Sequence, residues 1–344
     1  MKQKLMASKN IYLLSDGCYP TEDLYFRGVI SSRLKKNKIG SSKYINCKQT
    51  HPDYLKSRLS KNDIIIIFRT LPPIWALSMP EIYEQAGKTI YVLDDDLRVA
   101  ANTPSLPENY SGRIGHFAEH YHRLLLDYSD ALVVSSKYLA GQYADYSPRL
   151  LHPSLLINQE KSSDPNAKKL WVCYHATSSH QADLEFVTPA LKKTLANPNV
   201  AFESLIGNST PDDLSAYPNV ISRSPKSWRG FQRFQRACIR HIGIAPLLDT
   251  PYNLGKSHIK FLDIAAVGAV GIFSNRPPYS DVVVNGENGL LANDDPDEWH
   301  HHLNHLISNP KKAAEMAFNA RKTAFKIGHP RQSYRFWRQL LSEN

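Results

Sequence analysis

Short apolar runs alternate with amphipathic stretches along most of the chain. In the first half the runs are NIYLLS, KYIN, DIIIIF, TIYVLD and ALVVSS, rich in β-branched and aromatic residues. Between them lie segments such as HPDYLKSRLS and HFAEHYHRLLLDYS, whose apolar residues return at helical spacing. Strands and helices in alternation predict a parallel sheet with helices on its faces. DIIIIF and ALVVSS are nearly continuous apolar runs, the pattern of strands buried on both faces, so this sheet is expected to be central.

The pattern breaks after LLHPSLLI. Residues Asn158 to Lys169, NQEKSSDPNAKK, are polar, contain Pro165 and lack periodicity, which marks a domain boundary. The alternation restarts with LWVCYHAT, a helix from about Gln181 to Ala196, VAFESLIG, NVISRS, a helix from Trp228, IGIAPL, a helix opening near Ser257, and VGIFSN. From Pro296 three helices follow, punctuated by Asn309-Pro310 and His329-Pro330. The expected fold class is α/β, with two Rossmann-like domains facing a cleft at residues 1–160 and 168–328. Residues 329–344 are expected to be a helix that crosses back onto the first domain. Open parallel sheets bind ligands beyond the carboxyl ends of their strands, so the cleft is where chemistry is expected.

Composition narrows the reading. A chain of 344 residues suits two domains, and 42% hydrophobic with 22% charged residues is ordinary globular composition. The formal net charge of +10 favours anionic partners: nucleic acid, an anionic membrane surface or phosphorylated substrates. The basic residues are dispersed and no zinc-finger, RRM or helix-turn-helix signature is present, so nucleic acid is not an expected partner. The longest apolar stretch, IAAVGAVGIF, falls far short of the ~20 residues that cross a bilayer. MKQKLMASKN lacks the apolar core of a secretory leader. A cytoplasmic protein is expected, with at most peripheral contact to the inner membrane face. Cys18, Cys47, Cys173 and Cys238 lack metal or redox spacing and read as reduced and structural.

The segment from Ala245 to Ser274 carries the most chemistry. It reads as strand, loop, helix and strand, and a helix start favours an anion. Lys256, Lys260 and Asp263, four and three residues apart, fall on one face at that start. Two cations and a carboxylate so placed can hold a diphosphate and a ribose hydroxyl; equally, they can be solvated surface charges with one i,i+3 pair.

From Ile244 to about Pro310, APLLDTPYNLGKSHIKFLDIAAVGAVGIFSN followed by PPYSDVVVNGENGLLAND resembles the C-terminal half of GT-B glycosyltransferases of the group 1, or family four, type. The resemblance implies a nucleotide-sugar donor bound here, with Lys256 and Lys260 as phosphate contacts, Asp263 as a ribose contact, and Asn253 and Ser257 beside them. The family's Glu-x7-Glu pair stands here as Gly255 and Asp263. LWVCYHATSSHQADLEFVTPAL is similar to the first strand and turn of the same domain, with Ala176 in place of a usual Gly. Thr177, Ser178, Ser179 and His180 then stand at a strand's carboxyl end and can touch sugar or phosphate; the alternative is a helix cap at Ser179 and Asp183.

TIYVLDDDLRVAANTP resembles the acidic segment after a central strand in the same subgroup. Asp94, Asp95 and Asp96 repel one another unless a cation, a hydrogen-bond network or a hydroxylated substrate intervenes. Asp95 and Asp96 are the acceptor-side candidates, against a role in capping a loop. His116, at the start of a helix, is a further acceptor-side candidate, although lone histidines are usually structural. Arg27 and Arg69 are cleft candidates that can also be surface or interdomain ion pairs. His300, His301, His302 and His305 lack a third convergent ligand, so no metal is expected. In SWRGFQRFQRACIRHI, Trp228, Phe231, Phe234, Cys238 and Ile242 repeat at helical spacing and read as a core face, with the arginines outward, near anionic lipid.

The resemblance implies an enzyme that moves a sugar from a nucleotide donor to a glycan or lipid-linked acceptor, in bacterial-type surface polysaccharide or glycoconjugate synthesis, with no cofactor and no metal. The alternative is a non-catalytic two-domain binder of nucleotides or glycans.

Overall fold

The computed structural model describes residues 9–17, 20–104 and 106–343. The expectations for Cys18 and for the N-terminal leader region fall outside these residues. The described residues form two six-stranded sheets, parallel throughout. The first contains β1 (Asn10–Ser15), β2 (Ser41–Asn46), β3 (Ile64–Phe68), β4 (Lys88–Leu93), β5 (Ala131–Val134) and β6 (Arg149–Leu150), in the order β2-β1-β3-β4-β5-β6. The second contains β7 (Leu170–Tyr174), β8 (Val200–Ser204), β9 (Val220–Ser222), β10 (Ile242–Ala245), β11 (Val270–Ser274) and β12 (Leu290–Ala292), in the order β12-β11-β10-β7-β8-β9. Every residue of β3 is buried, as its unbroken apolar run requires of a strand covered on both faces.

The period-two geometry of strands divides the first core. Tyr12, Leu14, Ile65, Ile67, Tyr91 and Leu93 pack on one face of the sheet. Ile11, Leu13, Ile64, Ile66, Ile90 and Val92 pack on the other. The second face is completed from the far end of the chain. Trp337, Leu340 and Leu341, in and just after the Pro330–Leu340 helix, join it. Trp337 meets Phe26 edge to face at 4.9 Å, and its indole N–H donates to the Tyr25 carbonyl at 2.7 Å.

The chain passes between the halves twice. On the way out Ser154 N–H still bonds to Leu24 O, while Leu155 N–H bonds to Gly328 O at 3.0 Å and Ile157 packs in the second half. The polar stretch Asn158–Lys169 therefore begins after the crossing. Lys161 reaches the carbonyls of Gln235 and Arg236.

In each sheet the strand order reverses once, between β1 and β3 and between β7 and β10. At such switch points the loops diverge and leave a crevice. The loops after β7 and β10 carry His175–His180 and Leu247–Lys256, while those after β3 and β4 carry Arg69 and Asp94–Asp96. These four loops build the cleft.

Candidate functional site

A cavity of about 380 Å³ opens between the halves. Lys256, Ser257, Lys260, Asp263, Thr177 and His180 line it from the second half, and Asp94 and Asp95 line it from the first. A second cavity of about 540 Å³ shares Asp95, Thr177, His180 and Lys256 with it and extends to Arg69, Tyr110, Ser178 and Tyr252. The two form one cleft with two chambers.

The helix expected near Ser257 begins at Ile259 and runs to Ala266. It is preceded by a separate turn, Pro251–Leu254, capped by Thr250. Lys256 therefore lies in a loop and not on a helix face, and the fold of that loop brings it to the same cavity as Lys260. Lys260 Nζ donates to the His175 carbonyl and lies 3.6 Å from Asp263 Oδ2. Asp263 Oδ1 accepts from Gln235 Nε2 at 3.0 Å. Lys256 Nζ is 2.7 Å from Asp95 Oδ1, across the cleft, and 4.0 Å above the Tyr252 ring.

Asp95 is the centre of the acidic wall. Its other oxygen meets Arg69 Nη2 at 2.9 Å and the Tyr252 hydroxyl at 3.1 Å. Burial pushes its carboxyl up, but the charges of Lys256 and Arg69 and the hydrogen bonds from Lys256 and Tyr252 outweigh that and hold it well below the usual carboxylate range. Burial and the neighbouring Asp95 push Asp94 the other way against Arg69, and the Asp94 carboxyl accepts from Thr21 at 2.5 Å. Arg69 is held at φ +58°, a left-handed conformation that non-glycine residues avoid. Tyr91 O–H donates to the Arg69 carbonyl at 2.6 Å, and Arg69 Nη2 donates to the Tyr110 hydroxyl oxygen at 2.8 Å. Strain at a buried arginine beside two carboxylates is of the kind that functional sites retain.

Three candidates stand apart from the cleft. Asp96 is fully buried, caps the Leu97–Ala100 helix and pairs with Arg98 at 2.9 Å, so the capping alternative describes it. His116 is exposed on the Glu108–His120 helix, stacked on His120 at 4.3 Å, and borders a surface groove instead of either chamber. Arg27 pairs with Asp23 at 2.9 Å and lies over the Tyr44 ring, the ion-pair alternative. Asn253 is structural as well, its amide donating to Asp183 at 3.2 Å and to Leu248 O at 3.0 Å.

Two acids missed as site residues organise the second half of the cleft. Buried Asp183 accepts from Leu248 N–H at 2.8 Å and bonds His180 Nδ1 at 2.8 Å, tying the loops after β7 and β10 together. Burial keeps His180 below the ordinary imidazole value despite that partner, so its Nε2 is left as an acceptor. Fully buried Glu203, in β8, bonds Arg240 at 2.6 Å, Arg223 at 2.6 Å and His175 at 3.1 Å. Burial alone would raise its carboxyl; these partners instead hold it at about 2. Its signal in sequence is a lone acid inside the apolar run VAFESLIG.

The aromatic face of the Trp228–Ala237 helix differs from the expected core face. Trp228 and Phe231 line the cavity, Gln235 is the buried residue of the helix, and Ile242 belongs to β10. The four tail histidines do not converge: His300 bonds Thr194 at 3.1 Å and His302 bonds Leu291 O at 3.1 Å. Among the described residues no group of three or more His, Cys, Asp or Glu is placed to hold a metal ion, and no helix is long and apolar enough to cross a membrane.

No family sequence model matches the chain, and no match is found among curated proteins. Solved structures do match over nearly its whole length. Sucrose-phosphate synthase from Thermosynechococcus elongatus is 12% identical and superposes with a TM-score of 0.68, over 97% of this chain and 99% of that one. HepE from Anabaena, solved in complex with UDP and glucose, is 13% identical with a TM-score of 0.64 and the same coverages. A glycosyltransferase from Rickettsia africae is 11% identical with a TM-score of 0.61, covering 98% of both chains. The fold is thus the GT-B arrangement, two Rossmann-like domains facing a cleft.

Proposed function

We propose that this GT-B chain is a glycosyltransferase that moves a sugar from a nucleotide-sugar donor to a hydroxyl of a glycan or lipid-linked acceptor, in surface polysaccharide or glycoconjugate synthesis. The observation that carries the proposal is the convergence of Lys256, Lys260 and Asp263 in one cavity whose opposite wall is Asp94 and Asp95. Two ammonium groups suit a diphosphate, and Asp263 suits a ribose hydroxyl. Lys256 exchanges Asp95 for phosphate when donor enters. Thr177 and His180, lining both chambers, lie where the transferred sugar would pass.

Catalysis then comes from holding donor and acceptor in contact and from fixed positive charge on the departing diphosphate. Because the lysines supply that charge, transfer proceeds without a divalent ion and persists in EDTA. Asp95, kept ionised, faces the chamber left for the acceptor. HepE was solved with UDP and glucose, which puts UDP-sugars first among donors to try. The protein works on the cytoplasmic side, and the exposed Arg229, Arg233 and Arg236 suit a peripheral contact with the anionic inner membrane face.

The test is a panel of UDP-, GDP-, dTDP- and CMP-sugars, read by donor hydrolysis and by thermal stabilisation. At least one donor is expected to respond, and Lys260→Ala to lose the response. Stabilisation without hydrolysis or transfer would identify a binder, and silence across the panel would end the donor reading.

A further inference from the structure

The Trp228–Ala237 helix walls the donor cavity and is fastened at three places, two of them outside its own domain core. At its start, Trp228 Nε1 donates to Asp23 Oδ2 in the other half at 2.7 Å, and the indole packs against that half's core. At its end, Lys161, from the stretch just after the crossing, donates to the carbonyls of Gln235 at 2.5 Å and Arg236 at 3.0 Å, where a helix favours a cation. In its last turns Gln235, the buried residue of the helix, donates to Asp263 Oδ1.

The same helix touches the other donor group indirectly. Phe231 and Phe234 meet the His175 ring edge to face at 6.1 and 5.4 Å, and the His175 carbonyl is what Lys260 is bonded to. With Gln235 on Oδ1, Asp263 keeps Oδ2 for a hydroxyl or for Lys260. A shift of the helix thus moves both Asp263 and the peptide that anchors Lys260.

We propose that this helix couples closure of the cleft to the grip on the donor, with Gln235 as the positioning residue for Asp263 and the Asp23–Trp228 bond as the contact through which the first domain acts. The inference rests on the donor reading of the same cavity. Asp23 itself does not line that cavity, although its neighbours Leu24 and Tyr25 do and its other oxygen holds Arg27, so Arg27→Ala, expected to bind as wild type, separates the helix route from loss of that pair.

The full chain is titrated calorimetrically with UDP, GDP, dTDP and CMP, and the tightest ligand is taken forward. Gln235→Leu is expected to weaken it about tenfold, the loss of one hydrogen bond to a charged group. Asp23→Ala is expected to weaken it about threefold and to raise donor KM more than it lowers kcat, with the melting temperature as a check on folding. Because both act through one helix, the double variant is expected to bind no more weakly than Gln235→Leu alone, whereas independent sites would multiply. Should Gln235→Leu not fold, the partly buried Asp23→Ala carries the test. Wild-type affinity in Asp23→Ala, or multiplying effects, would overturn the coupling and leave the donor reading standing. A wild-type chain that binds none of the four nucleotides would overturn both.

Discussion

Removing the charge of Asp95 should tighten nucleotide binding while it abolishes transfer. Without donor, Lys256 is held by Asp95 at 2.7 Å, with side-chain exposures of only 16% and 8%. Two unit charges at that distance interact by about 6 kcal/mol at an effective dielectric of about 20, which is the gross ceiling. The net value of a hydrogen bond between charged groups is about 1.5–3 kcal/mol. A diphosphate that recruits Lys256 has to replace that bond and also approach the carboxylate that made it. Asp95→Asn removes both penalties, while Arg69 keeps Asp94 as a partner and the amide oxygen can still accept from Tyr252. The expected result is a nucleoside diphosphate Kd tighter by about 10- to 100-fold, since 1.4 kcal/mol is a factor of about ten. Titration calorimetry at low and moderate salt measures it, and sugar transfer to acceptor is followed in parallel. A Kd equal to or weaker than wild type would refute the idea that Asp95 competes for Lys256.

Acid should destabilise the fold before any carboxylate is involved. Burial lowers His122 to about 4 and His258 to about 3, so below about 6.5 the unfolded chain binds protons that the folded chain refuses. Stability present above that value is lost as the pH falls, by about 1 kcal/mol for each histidine between pH 6.5 and 5.5. Urea unfolding at pH 7.5 and 5.5 should show the loss, and His258→Gln should remove part of it; an unchanged midpoint would contradict the burial argument. Gly255→Glu, which restores the acid of the resembling family, should lower the melting temperature and not raise turnover. A Cβ at position 255 would stand 3.1 Å from the backbone nitrogen of Asp96 in the facing domain, so that backbone has to give by a few tenths of an ångström to admit it.

Much of the fold was legible because burial on both faces leaves an unmistakable mark, as in IIIIF of β3 and VGIFS of β11. The edge strands β6 and β12 escaped notice, since two or three residues carry no periodicity. Spacing reads correctly only the i,i+3 neighbours Lys260 and Asp263, whereas Lys256 reaches the same cavity from a loop that helical spacing does not describe. The site was not legible in DDD, because period-two alternation ends with the strand and nothing local says which of three acids turns to the cleft. His116 misled for a related reason: helical position gives a face, but not what that face meets. The aromatic repeat of Trp228, Phe231 and Phe234 has the same period whether it lines a core or a cavity, and the polar Gln235 just after it was the discriminating residue.

The double crossing of the chain has a mechanical consequence. A domain hung on one tether can swivel in any direction, but two passes held side by side, Leu155 N–H on Gly328 O, act as a pair of pins on one axis. The second half is in effect an insertion whose two ends return to the same post. The motion expected of the halves is then along a single path, with Asp95 and Lys256 meeting again on closure. Cutting the chain after residue 328 would strip the first domain of Trp337 and at the same time turn a door into a pendulum.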